Sequence, residues 1–190
     1  MKRAIIIHGT PSREEYFDAA TPSESNKHWI PWLQKQLLIR DIFTQTPEMP
    51  DSYAPDYDTW KAEFERFPVD SETILIGHSC GGGFLLRWIS ENKIQLNKLI
   101  LVAPWMDPQE RKTMGFFDFE IDPKLQDRVN EIHVFVSIDD DSEILDSVHF
   151  IKKALPHVTF HEFTDKGHFC FEDMHTQEFP ELLKTIVLSR

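Results

Sequence analysis

The sequence predicts a three-layer α/β fold, with about six parallel strands covered by helices on both faces. Short β-branched and apolar runs alternate with segments of helical periodicity along the 190 residues, which is the order expected of a parallel sheet. Most of these runs lack apolar–polar alternation, which is typical of strands buried on both sides. The predicted strands are Ala4–Ile7, Asp41–Thr44, Thr73–Ile76, Lys98–Val102, Ile132–Val136 and Thr159–Phe163.

Five helices are predicted, within one domain that spans residues 1–190. In the first, Trp29, Leu33 and Leu37 recur at helical spacing and Asn26 is a plausible N-cap. The stretch 104–130 is the longest without a clear strand. It is interpreted either as a small cap over a pocket or as an ordinary segment that covers the core. The predicted helices are Asn26–Leu38, Thr59–Phe67, Cys80–Asn92, Glu143–Leu155 and Phe179–Leu188.

Charge and cysteine content exclude several classes of protein. With 20 basic and 32 acidic residues the formal net charge is −12, which disfavours nucleic acid and anionic membranes as partners. No apolar run approaches the roughly 18 residues of a membrane span. The two cysteines, Cys80 and Cys170, are too few for a disulfide framework and badly spaced for a metal site. We therefore expect a cytoplasmic protein with neither metal nor cofactor.

A G-x-S-x-G motif follows the third predicted strand and opens a predicted helix. It comprises Gly77–Gly81, with Ser79 at its centre, and we call it the nucleophile elbow. A sharp strand-to-helix turn lifts the serine hydroxyl above the sheet, and only residues without a Cβ fit at the two flanking glycines. The motif and its setting predict an α/β-hydrolase fold with Ser79 as nucleophile.

Among the nine histidines, His168 fits the role of general base. A serine needs a base to accept its proton, and in this fold the base follows the acid late in the chain. His168 lies after the last predicted strand in a loop, Asp165–Cys170, that we call the histidine loop. No other histidine combines this position with a preceding glycine.

The acid that orients the base should follow the fifth strand. Three aspartates stand there in a row, Asp139, Asp140 and Asp141, and we call them the aspartate loop. Asp141 is preferred because Ile144, three positions later, would anchor the chain beyond it, and Asp140 is the alternative. The remaining carboxylates would shape the turn.

Two backbone N–H groups should form an oxyanion hole. Cys80, directly after the nucleophile, would supply one, and Thr10, in the loop after the first strand, the other, because Pro11 has no N–H to offer. Three further residues are possible pocket residues: Trp29, Trp105 and Met106. For Trp29 the preferred interpretation is a packing residue of the core.

Taken together, these motifs resemble the retinoblastoma-binding-protein-9-like, or YdeN-like, family of small serine hydrolases. The similarity includes Ile5–Gly9, Asn26–Leu33, Ile74–Ser79, Leu99–Val102, Asp140–Asp141 and Phe163–Phe169. It implies a triad of Ser79, Asp141 and His168, since the spacing back from the histidine to the family's acid reaches Asp141 without a gap. The segment 67–72 lacks the Leu-x-Cys-x-Glu motif of the namesake, so a retinoblastoma-binding role is not implied.

The sequence thus predicts a carboxylesterase-like serine hydrolase. It would cleave a small ester, thioester or amide through an acyl-enzyme on Ser79. Two alternatives remain open: an acyltransferase that uses the same triad, and a non-catalytic interaction module on the same fold. The expected partner is a small-molecule acyl substrate.

Overall fold

The computed structural model describes residues 2–110 and 112–188, and its sheet confirms the predicted fold class. Six parallel strands lie in the order β2-β1-β3-β4-β5-β6. Each predicted strand is present, with ends that differ by at most a few residues. The strands are β1 Arg3–Ile7, β2 Phe43–Gln45, β3 Thr73–His78, β4 Leu96–Val102, β5 Val129–Ser137 and β6 Thr159–Phe163.

Helices occupy most of the connections between these strands. None of those in the described residues is both long and apolar enough to span a membrane. The α-helices are α1 Arg13–Phe17, α2 Ile30–Leu38, α3 Tyr57–Phe64, α4 Cys80–Asn92, α5 Ser142–Ala154, α6 Phe171–Met174 and α7 Pro180–Val187, and two 3-10 helices cover Glu24–Asn26 and Pro123–Asp127.

The strand order places a topological switch point between β1 and β3. The chain moves outward from β1 to β2, then returns to β3 on the other side of β1 and continues to β6. Because parallel crossovers are right-handed, this reversal puts α2 on one face and α3, α4 and α5 on the other. Ligands of open α/β sheets bind where the order reverses, beyond the carboxyl ends of the strands. Here these are the ends of β1 and β3.

Aromatic side chains fill the core on both faces of the sheet. On one face α2 contacts α7, and Phe179 lies edge-on to Trp29 at 6.0 Å and to Phe135 at 5.4 Å between ring centroids. On the other face Phe64 of α3 packs against Phe84 and Trp88 of α4, at 5.6 and 4.8 Å. These contacts hold α4, and thus the residue at its start, firmly on the sheet.

The start of the first long helix differs from the prediction. Asn26 ends a separate 3-10 turn, and α2 begins only at Ile30. His28 has φ 55°, a left-handed conformation that interrupts helical hydrogen bonding. Asn26 as the cap of this helix was therefore wrong, and Pro31 in the first turn begins it instead.

The segment 104–130 has two different environments. Phe116 is 1% exposed and packs among Tyr57, Trp60 and Phe84, as a core-covering segment would. Trp105, in contrast, faces the cavity described below. The role of the segment as a cap stays a prediction.

Candidate active site

Ser79 lies on a strained turn between β3 and α4. Its φ of 52° and ψ of −124° fall in a region that residues with a side chain rarely occupy, and such strain persists only when the surroundings enforce it. The surroundings here are hydrogen bonds: the Ser79 N–H donates to Val102 O at 2.9 Å, and the Ser79 carbonyl accepts from Gly82 N and Trp105 N at 2.9 and 3.1 Å.

Close backbone approach explains the glycines of the elbow. A Cβ on Gly77 would lie 2.6 Å from Gly81 O and from Gly82 N, and one on Gly81 would overlap the carbonyl oxygens of Ile7 and His8. These are backbone atoms that cannot rotate away. The turn therefore accepts no side chain at either flank of Ser79, as the motif predicts.

A cavity of about 350 Å³ opens above the elbow. Ser79 is half-buried at its floor, with His168 and Asp140 in the wall. The cavity stands at the carboxyl ends of β1 and β3, where the switch point places a ligand site. Its lining residues are Thr10, Ser79, Trp105, Lys112, Asp140, Asp141, Glu143, Ile144 and His168.

Asp140 contacts His168, the predicted base. Its two carboxylate oxygens lie 3.1 and 3.0 Å from His168 Nδ1, and its side chain is only 2% exposed whereas that of His168 is 30% exposed. Both oxygens accept the Nδ1 proton. This fixes the tautomer and leaves Nε2 as the basic nitrogen.

The contact predicted for Asp141 is therefore made by its neighbour. Asp141 is instead the N-cap of α5, and its carboxylate accepts from Glu143 N at 3.1 Å. An aspartate followed by Ser142, Glu143 and an apolar residue is the pattern of a helix start. The gapless spacing to His168 misled the prediction, because it cannot tell apart two adjacent identical residues.

The third aspartate, Asp139, stabilises the histidine loop through hydrogen bonds. Asp139 accepts from the Gly167 N–H at 3.1 Å and from the Ser137 hydroxyl at 2.5 Å. Ser137 Oγ in turn accepts from Lys166 N at 3.0 Å. The hydrogen bonds to Asp139, of which the one from Ser137 contributes most, keep the pKa of Asp139 below its ordinary value. The carboxylate therefore stays ionised.

Two side chains also fix the backbone of His168. Asp173 accepts from His168 N at 2.9 Å, and His78 Nε2 donates to the His168 carbonyl at 2.8 Å. His78 is 3% exposed, and burial lowers its pKa well below the ordinary value. Sequence reasoning missed both residues. His78 carried a usable signal, since it directly precedes Ser79 in the motif, but Asp173 lies in a short helix with no motif.

Of the three possible pocket residues, Trp105 alone lines this cavity. Trp29 is a packing residue of the core, which is the other interpretation of it, because it is 1% exposed and its ring packs edge-on to His78 at 5.7 Å. Met106 lines a separate, larger cavity of about 970 Å³ together with residues such as Phe119 and Phe150. Adjacent residues of this loop therefore line two different cavities.

The predicted oxyanion residues belong to two segments that adjoin Ser79. Thr10 lines the cavity, and the preceding Gly9 is so close that a Cβ there would lie 3.0 Å from Ser79 Cβ. Cys80 is the first residue of α4, where the N–H has no partner inside the helix. Its side chain is fully buried, and burial raises the pKa of the thiol.

One group of residues has the chemistry of a metal site. Ligand atoms of His28, Cys170 and Glu172 lie within 4.8 Å of one another. However, His28 Nδ1 already accepts a hydrogen bond from Phe171 N at 3.0 Å, and burial raises the pKa of the Cys170 thiol to about 12. Both features oppose metal binding in this arrangement.

Solved structures resemble this fold from end to end. The ydeN gene product of Bacillus subtilis has a TM-score of 0.80 at 23% identity, over 98% of this chain and 97% of that one. Est1E of Butyrivibrio proteoclasticus, solved with ferulic acid bound, has a TM-score of 0.61 at 16% identity (98% and 88%). FphF, a fluorophosphonate-binding serine hydrolase of Staphylococcus aureus, has a TM-score of 0.61 at 12% identity (100% and 84%).

Sequence comparison supplies the family assignment that these structural similarities at low identity cannot. No curated protein sequence matches the chain at a significant level. The family described as "Serine hydrolase", however, matches residues 21–186, a range that includes the elbow, the aspartate loop and the histidine loop. By this match over most of its length, the chain belongs to the serine hydrolase family.

Proposed function

We propose that the protein hydrolyses small esters, thioesters or amides with a triad of Ser79, His168 and Asp140. One observation carries the proposal: a serine on a strained elbow and a histidine held by a buried carboxylate line the same cavity. The three groups match the roles of nucleophile, base and orienter. A carboxylesterase-like reaction is the simplest use of this set.

The reaction would start with proton transfer. Asp140 binds the Nδ1 proton, so His168 Nε2 accepts the proton of the Ser79 hydroxyl while Oγ attacks the substrate carbonyl. The N–H groups of Cys80 and Thr10 would stabilise the resulting oxyanion. His168 then passes the proton to the leaving group as the carbonyl–leaving group bond breaks, which leaves an acyl group on Ser79.

The second half of the reaction would regenerate the enzyme. His168 takes a proton from water, whose oxygen attacks the acyl carbonyl, and the Ser79 oxygen leaves and recovers its proton from the histidine. Asp140 stabilises the positive imidazole in both halves. The cavity of about 350 Å³ favours a small acyl substrate, because ligand pockets match the size of what they bury.

Labelling with a fluorophosphonate probe tests the proposal directly. Wild-type protein should be labelled at Ser79, and Ser79→Ala should lose the label together with esterase activity on short acyl esters. Ser142→Ala is the matched control, since Ser142 is an exposed serine at the start of α5, and it should label like the wild type. A folded wild type that does not label, or a label that survives in Ser79→Ala, would overturn the proposal.

A further inference from the structure

The mouth of the Ser79 cavity contains an aromatic ring and a carboxylate that hold a cation. Trp105 Nε1 donates to Glu143 Oε2 at 3.1 Å, so the ring and the carboxylate are fixed to each other. Lys112 Nζ lies 2.9 Å from the same Glu143 oxygen and 5.6 Å from the centroid of the Trp105 ring. All three residues line the cavity.

We propose that Trp105 and Glu143 form a subsite for an ammonium group of the substrate, a specificity that rests on the proposed hydrolase function. The face of an indole attracts cations, and a nearby carboxylate adds a Coulombic attraction. Lys112, an intramolecular ammonium group, occupies this position in the free protein.

Lys112 is a replaceable occupant, whereas Trp105 and Glu143 are fixed. The Lys112 side chain is 58% exposed and that of Glu143 18%, while Trp105 as a whole is 8% exposed. An exposed lysine gains little from an ion pair, because water and salt compete for it. The Trp105 backbone is held by its hydrogen bond to Ser79 O, which ties the subsite to the nucleophile.

The charge of the cavity favours a cationic ligand. Among the described lining residues, Asp140, Asp141 and Glu143 are carboxylates and Lys112 is the cation. The chain as a whole carries a formal charge of −12. A cleft in which one sign of charge predominates concentrates ligands of the other sign. Esters or amides with an ammonium group near the scissile bond are therefore the substrate class that fits.

Titration with tetramethylammonium at constant ionic strength tests the subsite without any need for turnover. The indole N–H resonance of Trp105, assigned with Trp105→Phe, should shift saturably in ¹⁵N-labelled protein, while tert-butanol as the neutral probe should have no such effect. Glu143→Gln keeps an acceptor for the indole but removes the charge, so it should weaken binding about tenfold. Lys112→Met removes the occupant and should strengthen binding.

Lys152 provides a matched control. It lies 5.2 Å from the centroid of the Phe160 ring and 4.0 Å from Glu162, so it has the same kind of partners outside the cavity. Lys152→Met should leave the Trp105 titration unchanged. The subsite would be overturned if the Trp105 resonance moved in neither the wild type nor Lys112→Met. It would also be overturned if Glu143→Gln bound tetramethylammonium as tightly as the wild type.

Competition with the fluorophosphonate probe separates this inference from the proposed function. Tetramethylammonium should slow labelling of Ser79. In addition, the kcat/KM for an ester of a quaternary ammonium alcohol should be about tenfold higher than that for the isosteric ester in which carbon replaces the nitrogen. If Ser79 never labels, the hydrolase function fails while the titration still decides the subsite. If labelling occurs but the two esters react equally, the inference fails and the hydrolase function stands.

Discussion

The nucleophile elbow and the aspartate loop hold two members of one site by different physical means. The elbow is set by backbone sterics, because a Cβ at Gly77 or Gly81 would collide with backbone atoms. In the aspartate loop each carboxylate binds a different group: Asp139 the backbone of the histidine loop, Asp140 the His168 ring, and Asp141 the first turn of α5. A steric rule is local in sequence, whereas a hydrogen-bond assignment depends on where distant segments lie.

The largest expected effect comes from breaking the contact between the acid and the base. Asp140→Asn keeps the shape but presents an amide that can donate to the ring, so the wrong tautomer of His168 is favoured. We expect kcat to fall by about 10³–10⁴-fold, measured on a short acyl ester.

The adjacent aspartate is the control for this prediction. Asp141→Asn can still cap α5, so kcat should stay within about threefold of the wild type and the free energy of unfolding should fall by at most about 1 kcal/mol. A greater loss of kcat in Asp141→Asn than in Asp140→Asn would contradict the assignment drawn from the geometry.

The next effect concerns the elbow. Gly81→Ala should lower the free energy of unfolding by about 3 kcal/mol or more, since the added methyl overlaps the carbonyls of Ile7 and His8 and overpacking against backbone cannot relax. Urea denaturation measures this change. Gly115→Ala is the comparison. Gly115 has φ +73°, but no heavy atom lies within 4 Å of the place where a Cβ would stand. This variant should lose about 1–2 kcal/mol of unfolding free energy, and equal losses in the two variants would show that backbone conformation, rather than crowding, dominates.

The same contrast explains how far the sequence carried the prediction. All six strands and the elbow followed from local patterns, because burial on both faces and the absence of a Cβ leave direct traces in residue types. The choice between Asp140 and Asp141 did not, because chemically identical neighbours differ only in which segment they meet. The helix-start pattern after Asp141 was present, however, and would have favoured Asp140.

The sequence could not tell which of the possible pocket residues line the cavity, for a related reason. Trp29 and Trp105 are the same residue type, and residue type does not tell their environments apart. Trp29 is buried beneath His78, whereas Trp105 faces the cavity. The difference depends on the direction of each side chain, which His28 with φ 55° and the Trp105–Ser79 hydrogen bond determine. Neither feature has a signature in composition or periodicity.

His78 connects the elbow to the histidine loop, and its burial gives the smallest of the expected effects. Burial lowers the pKa of His8, His28, His78 and His161 below the ordinary value of 6.5. The native state keeps these rings neutral at pH values where the unfolded chain takes up protons. Because the unfolded state then binds more protons, the free energy of unfolding should decrease as the pH falls below 6.5.

His78→Gln isolates the part of this pH dependence that belongs to the link between elbow and histidine loop. Glutamine can still donate to the His168 carbonyl but does not titrate, so between pH 6.5 and 5 the loss of stability should be smaller by about 1.4 kcal/mol per pH unit. Urea denaturation at several pH values measures the slope. His149→Gln, at an exposed position of α5, should retain the wild-type slope. If His78→Gln also retained the wild-type slope, His78 would take up a proton in the native state as it does in the unfolded chain. The bond from His78 Nε2–H to the His168 carbonyl would then not come from a neutral ring.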